Sequence, residues 1–192
     1  MSVAVKTSGV LESRYRVGMW VALASIAMLF TSLSSAFVVR SGVMTDWLPV
    51  AVPRVMFGST ALILLSSVAM ELARRKLRQN LSQSYKRYLL LTAFLGLAFL
   101  VSQIIAWRQL AQQGIYLSSH PHSSFFYLLT GTHAVHLAGG LLALAFLGWR
   151  SRRLEAGGSF HRGRATTEAV SIYWHFMAAL WIYLFLLLFL WR

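Results

Sequence analysis

Apolar runs with almost no charge alternate with short basic stretches five times along the chain. The runs cover residues 17–39, 55–73, 88–107, 125–149 and 170–191. At a rise of about 1.5 Å per residue, roughly twenty helical residues cross a hydrocarbon core of about 30 Å, and each run reaches that length. Lipid offers backbone amides no outside partner, so the runs have to be helices. The pattern predicts an all-α polytopic membrane protein of five transmembrane helices, with residues 1–192 forming a single membrane domain. The first run is too long for a removable signal peptide and lacks a small-residue cleavage pattern before a soluble mature part, so it is expected to stay in the membrane.

The basic residues sort by side. Three precede the first run (Lys6, Arg14, Arg16), six lie between the second and third (Arg74, Arg75, Lys76, Arg78, Lys86, Arg87), and five between the fourth and fifth (Arg150, Arg152, Arg153, Arg162, Arg164). Only Arg40, Arg54, Arg108 and Arg192 belong to the other side. The positive-inside rule then predicts a cytoplasmic N-terminus and an external C-terminus.

Composition sharpens this picture. The 192 residues are 57% hydrophobic and 12% charged, far too apolar for a soluble domain of that size. The net charge of +13 could suggest nucleic acid, but it is spent on collars at membrane level, with no globular domain and no interleaved exposed aromatics to stack on bases. Such collars face anionic lipid head groups instead. With no cysteine, disulfides, iron–sulfur clusters and thiolate zinc sites are excluded. No internal repeat or long linker appears, and Gly157, Gly158 and Gly163 make the fourth connection flexible.

Helices in lipid associate through small residues and interhelical hydrogen bonds. Gly131, Ala134, Ala138, Gly139 and Ala143 give the fourth helix a side that admits a neighbouring backbone, and Ser32, Ser34, Ser35, Ser59, Ser66 and Ser67 offer hydroxyls. Trp20, Trp47, Trp107, Trp149, Trp174 and Trp191 fall near run ends, as an aromatic belt requires.

Ionisable groups inside a bilayer are functional candidates by default. Glu71 ends its run beside Arg74 and Arg75, where pairing at i, i+3 or i, i+4 is expected. The other acids, Glu12, Asp46, Glu155 and Glu168, fall in or at the edge of connections. His133 and His136 share one face, and His175 lies in the last run, so bis-histidine haem ligation has to be weighed. Depth argues against it: His133 and His136 enter about 12 and 16 Å from one side, whereas His175 enters only about 8 Å from the other. The three histidines are expected to make buried polar contacts with neighbouring helices or lipid. His120-Pro121-His122 lacks a third ligand and reads as a turn.

Four ordered segments carry a resemblance. Ser124-Phe125-Phe126-Tyr127, continuing through Thr130-Gly131-Thr132-His133-Ala134-Val135-His136 to Gly139-Gly140, resembles the signature of haem–copper oxidase (cytochrome c oxidase) subunit III in its short, five-helix bacterial form. Tyr173-Trp174-His175-Phe176 with Trp181 is similar to that family's last helix. Gly18-Met19-Trp20 with Ala24-Ser25 and Met28-Leu29-Phe30 resembles its opening helix, and 62–75 its Leu-Leu-Leu-Ser-Ser…Glu-Leu-Ala-Arg-Arg stretch. The resemblance implies a chain with no catalytic, cofactor-binding or metal-binding residue of its own, with haem and copper in partner subunits. It further implies packing on the catalytic subunit I beside other oxidase subunits in a bacterial inner membrane. Phospholipid would lie in a cleft, and the chain would support proton uptake and durable turnover. Basic residues at the cytoplasmic edge meet lipid phosphates, which assigns Arg162 and Arg164 to lipid binding.

Three departures limit what carries over. Ile26, Ala106 and Ala178 stand where the family commonly has acids, so a proton-buffering role for intramembrane carboxylates does not transfer. Alternatives are the corresponding subunit of a quinol oxidase, an accessory protein of nitric oxide reductase, and a free-standing b-type cytochrome. A small transporter would need Gly- or Pro-broken helices with polar residues at mid-membrane, and neither is visible.

Overall fold

The computed structural model describes residues 2–43, 53–117, 121–154 and 160–190, with side chains at 17–43, 53–117, 121–149, 151 and 164–190. Five helices result: α1 (Ser2–Val43), α2 (Val55–Arg78), α3 (Ser82–Gln112), α4 (Pro121–Leu154) and α5 (Phe160–Leu190). All five contain segments long and apolar enough to cross a membrane.

Each helix outruns its apolar segment. Residues 74–87, read from sequence as a connection, are almost wholly helical, and only 79–81 reverse the chain between α2 and α3. Lys, Arg, Gln and Leu are good helix formers, so the basic collar continues the helix past the apolar edge. Asn80 stops it. Its φ of 59° is the left-handed conformation that Asn tolerates, and the amides of Asn80 and Leu81 donate to the carbonyls of Leu77 and Lys76. These are the two bonds of a Schellman ending. The far end of α3 repeats the device with Gly114 at φ 75°, the amides of Gly114 and Ile115 donating to Ala111 and Leu110. The connection after α4 also shrinks, since α5 begins at Phe160 and holds Gly163 within it. His122 belongs to the first turn of α4 rather than to a free turn, and it is buried with its ring 5.5 Å from Phe37. His120, Asp46, Trp47, Glu155, Trp191 and Arg192 lie outside the described residues.

The helices α2, α3, α4 and α5 form a closed ring, each packed on the next and α5 on α2, while α1 packs only on α4 and α5 among the described residues. Trp174 of α5 fills the middle of the ring. A Cβ on Gly96 of α3 would come within 2.8 Å of its ring, and one on Gly140 of α4 within 3.1 Å, so both positions need glycine. Gly131 and Gly139, which the sequence suggested for this role, have open space above them. Trp174 therefore belongs to the core, fully buried, and not to an aromatic belt; Trp20 and Trp149 remain exposed.

Three indole N–H groups stitch the ring. Trp174 donates to Ser66 and Trp181 to Thr60, both on α2 and both at 3.0 Å, and Trp107 of α3 donates to Thr130 of α4 at 3.1 Å. The accepting hydroxyls in turn donate hydrogen bonds to backbone carbonyls: Ser66 to Thr92, Thr60 to Met56 and Thr130 to Phe126. A buried donor without a partner would cost about 1–3 kcal/mol, so the Trp174 and Trp181 pairs fix the rotation of α5 against α2 and the Trp107 pair that of α3 against α4.

Candidate functional site

The polar side chains gather in two places, the ring interior and the basic end. In the interior, His133 is completely buried among Phe30, Phe99 and Trp181, with ring centroids 6.4, 5.9 and 5.2 Å away. Neither of its nitrogens has a hydrogen-bond partner among the described residues. Gln103 of α3 donates to Ser59 of α2 at 3.0 Å. His136, one turn beyond His133, engages the carbonyl of Thr132 through Nδ1 at 2.8 Å, and its own carbonyl accepts the Tyr173 hydroxyl at 2.7 Å. The histidines singled out from sequence are thus spread over different levels. His133 touches Trp181, six residues or about 9 Å along α5 from His175.

His175 belongs to the basic end. Its Nδ1 lies 2.6 Å from the Ser67 hydroxyl of α2, and its Nε2 lies 3.8 Å from Glu71. Glu71 is held as its spacing predicts, with Arg74 donating Nε and Nη2 to its two oxygens at 2.8 and 2.9 Å and Arg75 adding Nε at 3.0 Å. Two guanidiniums on one carboxylate hold it in place through charge-assisted hydrogen bonds.

The same end holds links that join distant parts of the chain. Arg78 of α2 donates to Glu168 of α5 at 2.7 Å, and Tyr85 of α3 meets the Thr167 hydroxyl at 3.1 Å. Arg164 reaches across to the α2–α3 reversal, donating Nη2 to Asn80 Oδ1 at 3.0 Å. Its Nε is sealed from solvent without an acceptor among the described residues. Arg162 sits in the first turn of α5, and its side chain lies outside the described ones.

These residues surround a cavity of about 670 Å³. Its floor is α5 (Arg164, Glu168, His175), one wall is α2 (Glu71, Arg74, Arg78), and the other is Met19 and Trp20 of α1. Sequence reasoning found Glu71, His175 and Arg164 one at a time; it had no means of placing Arg78 against Glu168 or of seeing the opening between α1 and α2. Among the described residues no group of three or more His, Asp or Glu could hold a metal ion.

Comparison with known proteins points to one family. The family model for cytochrome c oxidase subunit III matches residues 4–192. Cytochrome c oxidase subunit 3 of Synechocystis sp. is 31% identical over 172 residues, covering 88% of this chain and 72% of the relative. The subunit of the same name from Thermostichus vulcanus is 29% identical, covering 91% and 86%. Subunit 3 of the cytochrome bo(3) ubiquinol oxidase of Buchnera aphidicola is 27% identical, covering 90% and 92%.

Proposed function

Since the chain belongs to the cytochrome c oxidase subunit III family, a haem–copper oxidase family, we propose that it is the non-catalytic subunit III of a bacterial cytochrome c oxidase. In this reading it packs on the haem–copper subunit I in the cytoplasmic membrane, with its N-terminus inside and its C-terminus outside. It holds phospholipid at the shared boundary and supports proton uptake and lasting turnover by its neighbour.

The observation that carries the proposal is how the signature residues are used. Trp174, Trp181 and His133 all pack the ring interior, with His133 in T-shaped contact with Phe30 and Phe99 and tilted against Trp181. Side chains locked in this way build a scaffold. Ala106 and Ala178 are buried and offer no carboxylate, so in this reading support for proton uptake acts through subunit contacts and lipid.

Purification from mild detergent by a tag on this chain tests the proposal. Haem-containing subunit I is expected to travel with it, and a chain that elutes alone would overturn the reading. The similarity to a ubiquinol oxidase subunit favours a second reading, in which the partner oxidises quinol. Turnover of the purified complex with reduced cytochrome c, against turnover with quinol, separates the two.

A further inference from the structure

We propose that the ring interior encloses a water molecule that bridges Gln103 of α3 to one ring nitrogen of His133 of α4. The site is level with the Trp181–Thr60 pair, about 9 Å along α5 from His175 and the basic end. It belongs to the bundle itself, whichever oxidase the bundle serves.

One level of the ring collects the polar groups. The antiparallel register of α3 on α4 is pinned by Trp107 on Thr130 and by the close approach of Leu141 to Gly96, which sets Gln103 level with His133 and Ala134. Ser59 and Thr60 of α2 complete the level, Ser59 beside Gln103 and Thr60 beside Trp181. The hydrogen bonds among these groups leave a fixed remainder. Both α2 hydroxyls donate to the Met56 carbonyl, so towards α3 and α5 they can only accept. Ser59 therefore takes the amide nitrogen of Gln103, and Oε1 is left on the other arm of that amide, buried with no donor among the described residues. The nearby donors are used elsewhere: Trp181 gives its N–H to Thr60, Ser102 its hydroxyl to Phe99, and Thr130 its own to Phe126. His133 is completely buried, and both of its nitrogens lack a partner among the described residues. A neutral imidazole brings one N–H donor and one acceptor.

The two side chains cannot meet directly without leaving their seats. Gln103 is tethered to Ser59, and His133 is wedged among the rings of Phe30, Phe99 and Trp181. What joins them has to accept from an imidazole N–H, donate to an amide oxygen, carry no charge and be small enough for a packed interior. Water meets all four conditions, and enclosed water is the usual partner of buried polar groups that no side chain reaches. Dioxygen or an acyl chain has no hydrogen to donate. An ion would lack a counter-charge, because Glu71 and Glu168 stand at the basic end. With the water in place, one hydrogen-bonded chain runs from the Met56 carbonyl through Ser59 and Gln103 to His133, and it ties α2, α3 and α4 together where lipid can supply no partner.

The test begins with the full chain, purified in mild detergent together with whatever subunits accompany it, and imaged by electron cryo-microscopy at a resolution that shows ordered water. A peak within about 3 Å of both Gln103 Oε1 and a nitrogen of His133 is expected. An interior without that peak, or an amide and imidazole in direct contact, overturns the proposal, and neither result depends on a variant that folds. A double-substitution cycle then reads the bridge by denaturant titration. Gln103→Met and His133→Phe are each expected to lower the folding equilibrium constant about ten-fold, and the two together also about ten-fold, since either one alone already removes the bridge. A combined loss of about a hundred-fold would show two independent sites and overturn the bridge even if water is seen. Ser59→Ala, which removes the tether but neither end of the bridge, should leave the water peak in the map; its disappearance would show that the water belongs to Ser59 and overturn the assignment to His133.

Discussion

The ring of α2 to α5 and the outlying helix α1 are built from similar residues but held by different means. On α2, Ser66, Ser67, Ser59 and Thr60 all bond to side chains or backbone of other helices. On α1, the hydroxyls of Ser25, Thr31 and Ser32 turn back to carbonyls of their own helix. The ring buries whole indoles, whereas α1 contributes a single seam of Leu23, Phe30, Ser34 and Phe37, and leaves Val17, Trp20, Val21, Met28, Leu29, Val39 and Val43 exposed. In lipid, where apolar surface gains nothing by pairing with apolar surface, hydrogen bonds and close packing decide which helices stay together. The ring therefore supports itself, and α1 hangs on a few aromatic knobs.

That contrast can be broken. Phe30 packs on both His133 and His136, so Phe30→Ala should have the largest effect, about 3 kcal/mol, and should fall on the attachment of α1 while the ring survives. Limited proteolysis alongside thermal unfolding in detergent would read it; loss of ring and α1 in one transition would contradict the division. Gly96→Ala comes next, at about 2 kcal/mol, because the new methyl meets the Trp174 ring. Gly18→Ala, on α1 with nothing within 4 Å, should leave the same melting curve unmoved.

Smaller effects sharpen the comparison. Trp174→Phe removes the N–H that Ser66 accepts, and a loss of about 1 kcal/mol is expected in denaturant titrations, in the range of interhelical hydrogen bonds within membranes. Smaller again is Glu71→Gln. Its bonds to Arg74 and Arg75 are local to one helix and partly exposed, so about 0.5 kcal/mol should disappear at low salt and less at high salt. An effect rivalling that of Gly96→Ala would mean that the basic end, not the ring interior, holds the bundle together.

How much of this the sequence disclosed follows the range of each interaction. The five helices were legible because a long uncharged apolar run has few other uses. Their ends were not: the stop after α2 depends on Asn80 taking a left-handed conformation, and nothing in the basic stretch before it forbids helix. The Glu71–Arg74–Arg75 cluster was legible because i, i+3 and i, i+4 neighbours meet on any helix. Ser67 with His175, Arg78 with Glu168 and Arg164 with Asn80 are separated by 108, 90 and 84 positions, and they meet only once α5 has packed on α2. The tryptophans misled for a related reason. An indole near a run end suits a membrane interface, but Trp174 has a serine on α2 to accept its N–H hydrogen bond, and that partner lets it sit inside.

The reversal at residues 79–81 also bears on how the protein is made. Three residues cannot hold two helices apart, so α2 and α3 run side by side from the bend onward as one hairpin. By the positive-inside rule the basic residues flanking the bend act on both helices together, so the hairpin takes its orientation as a unit.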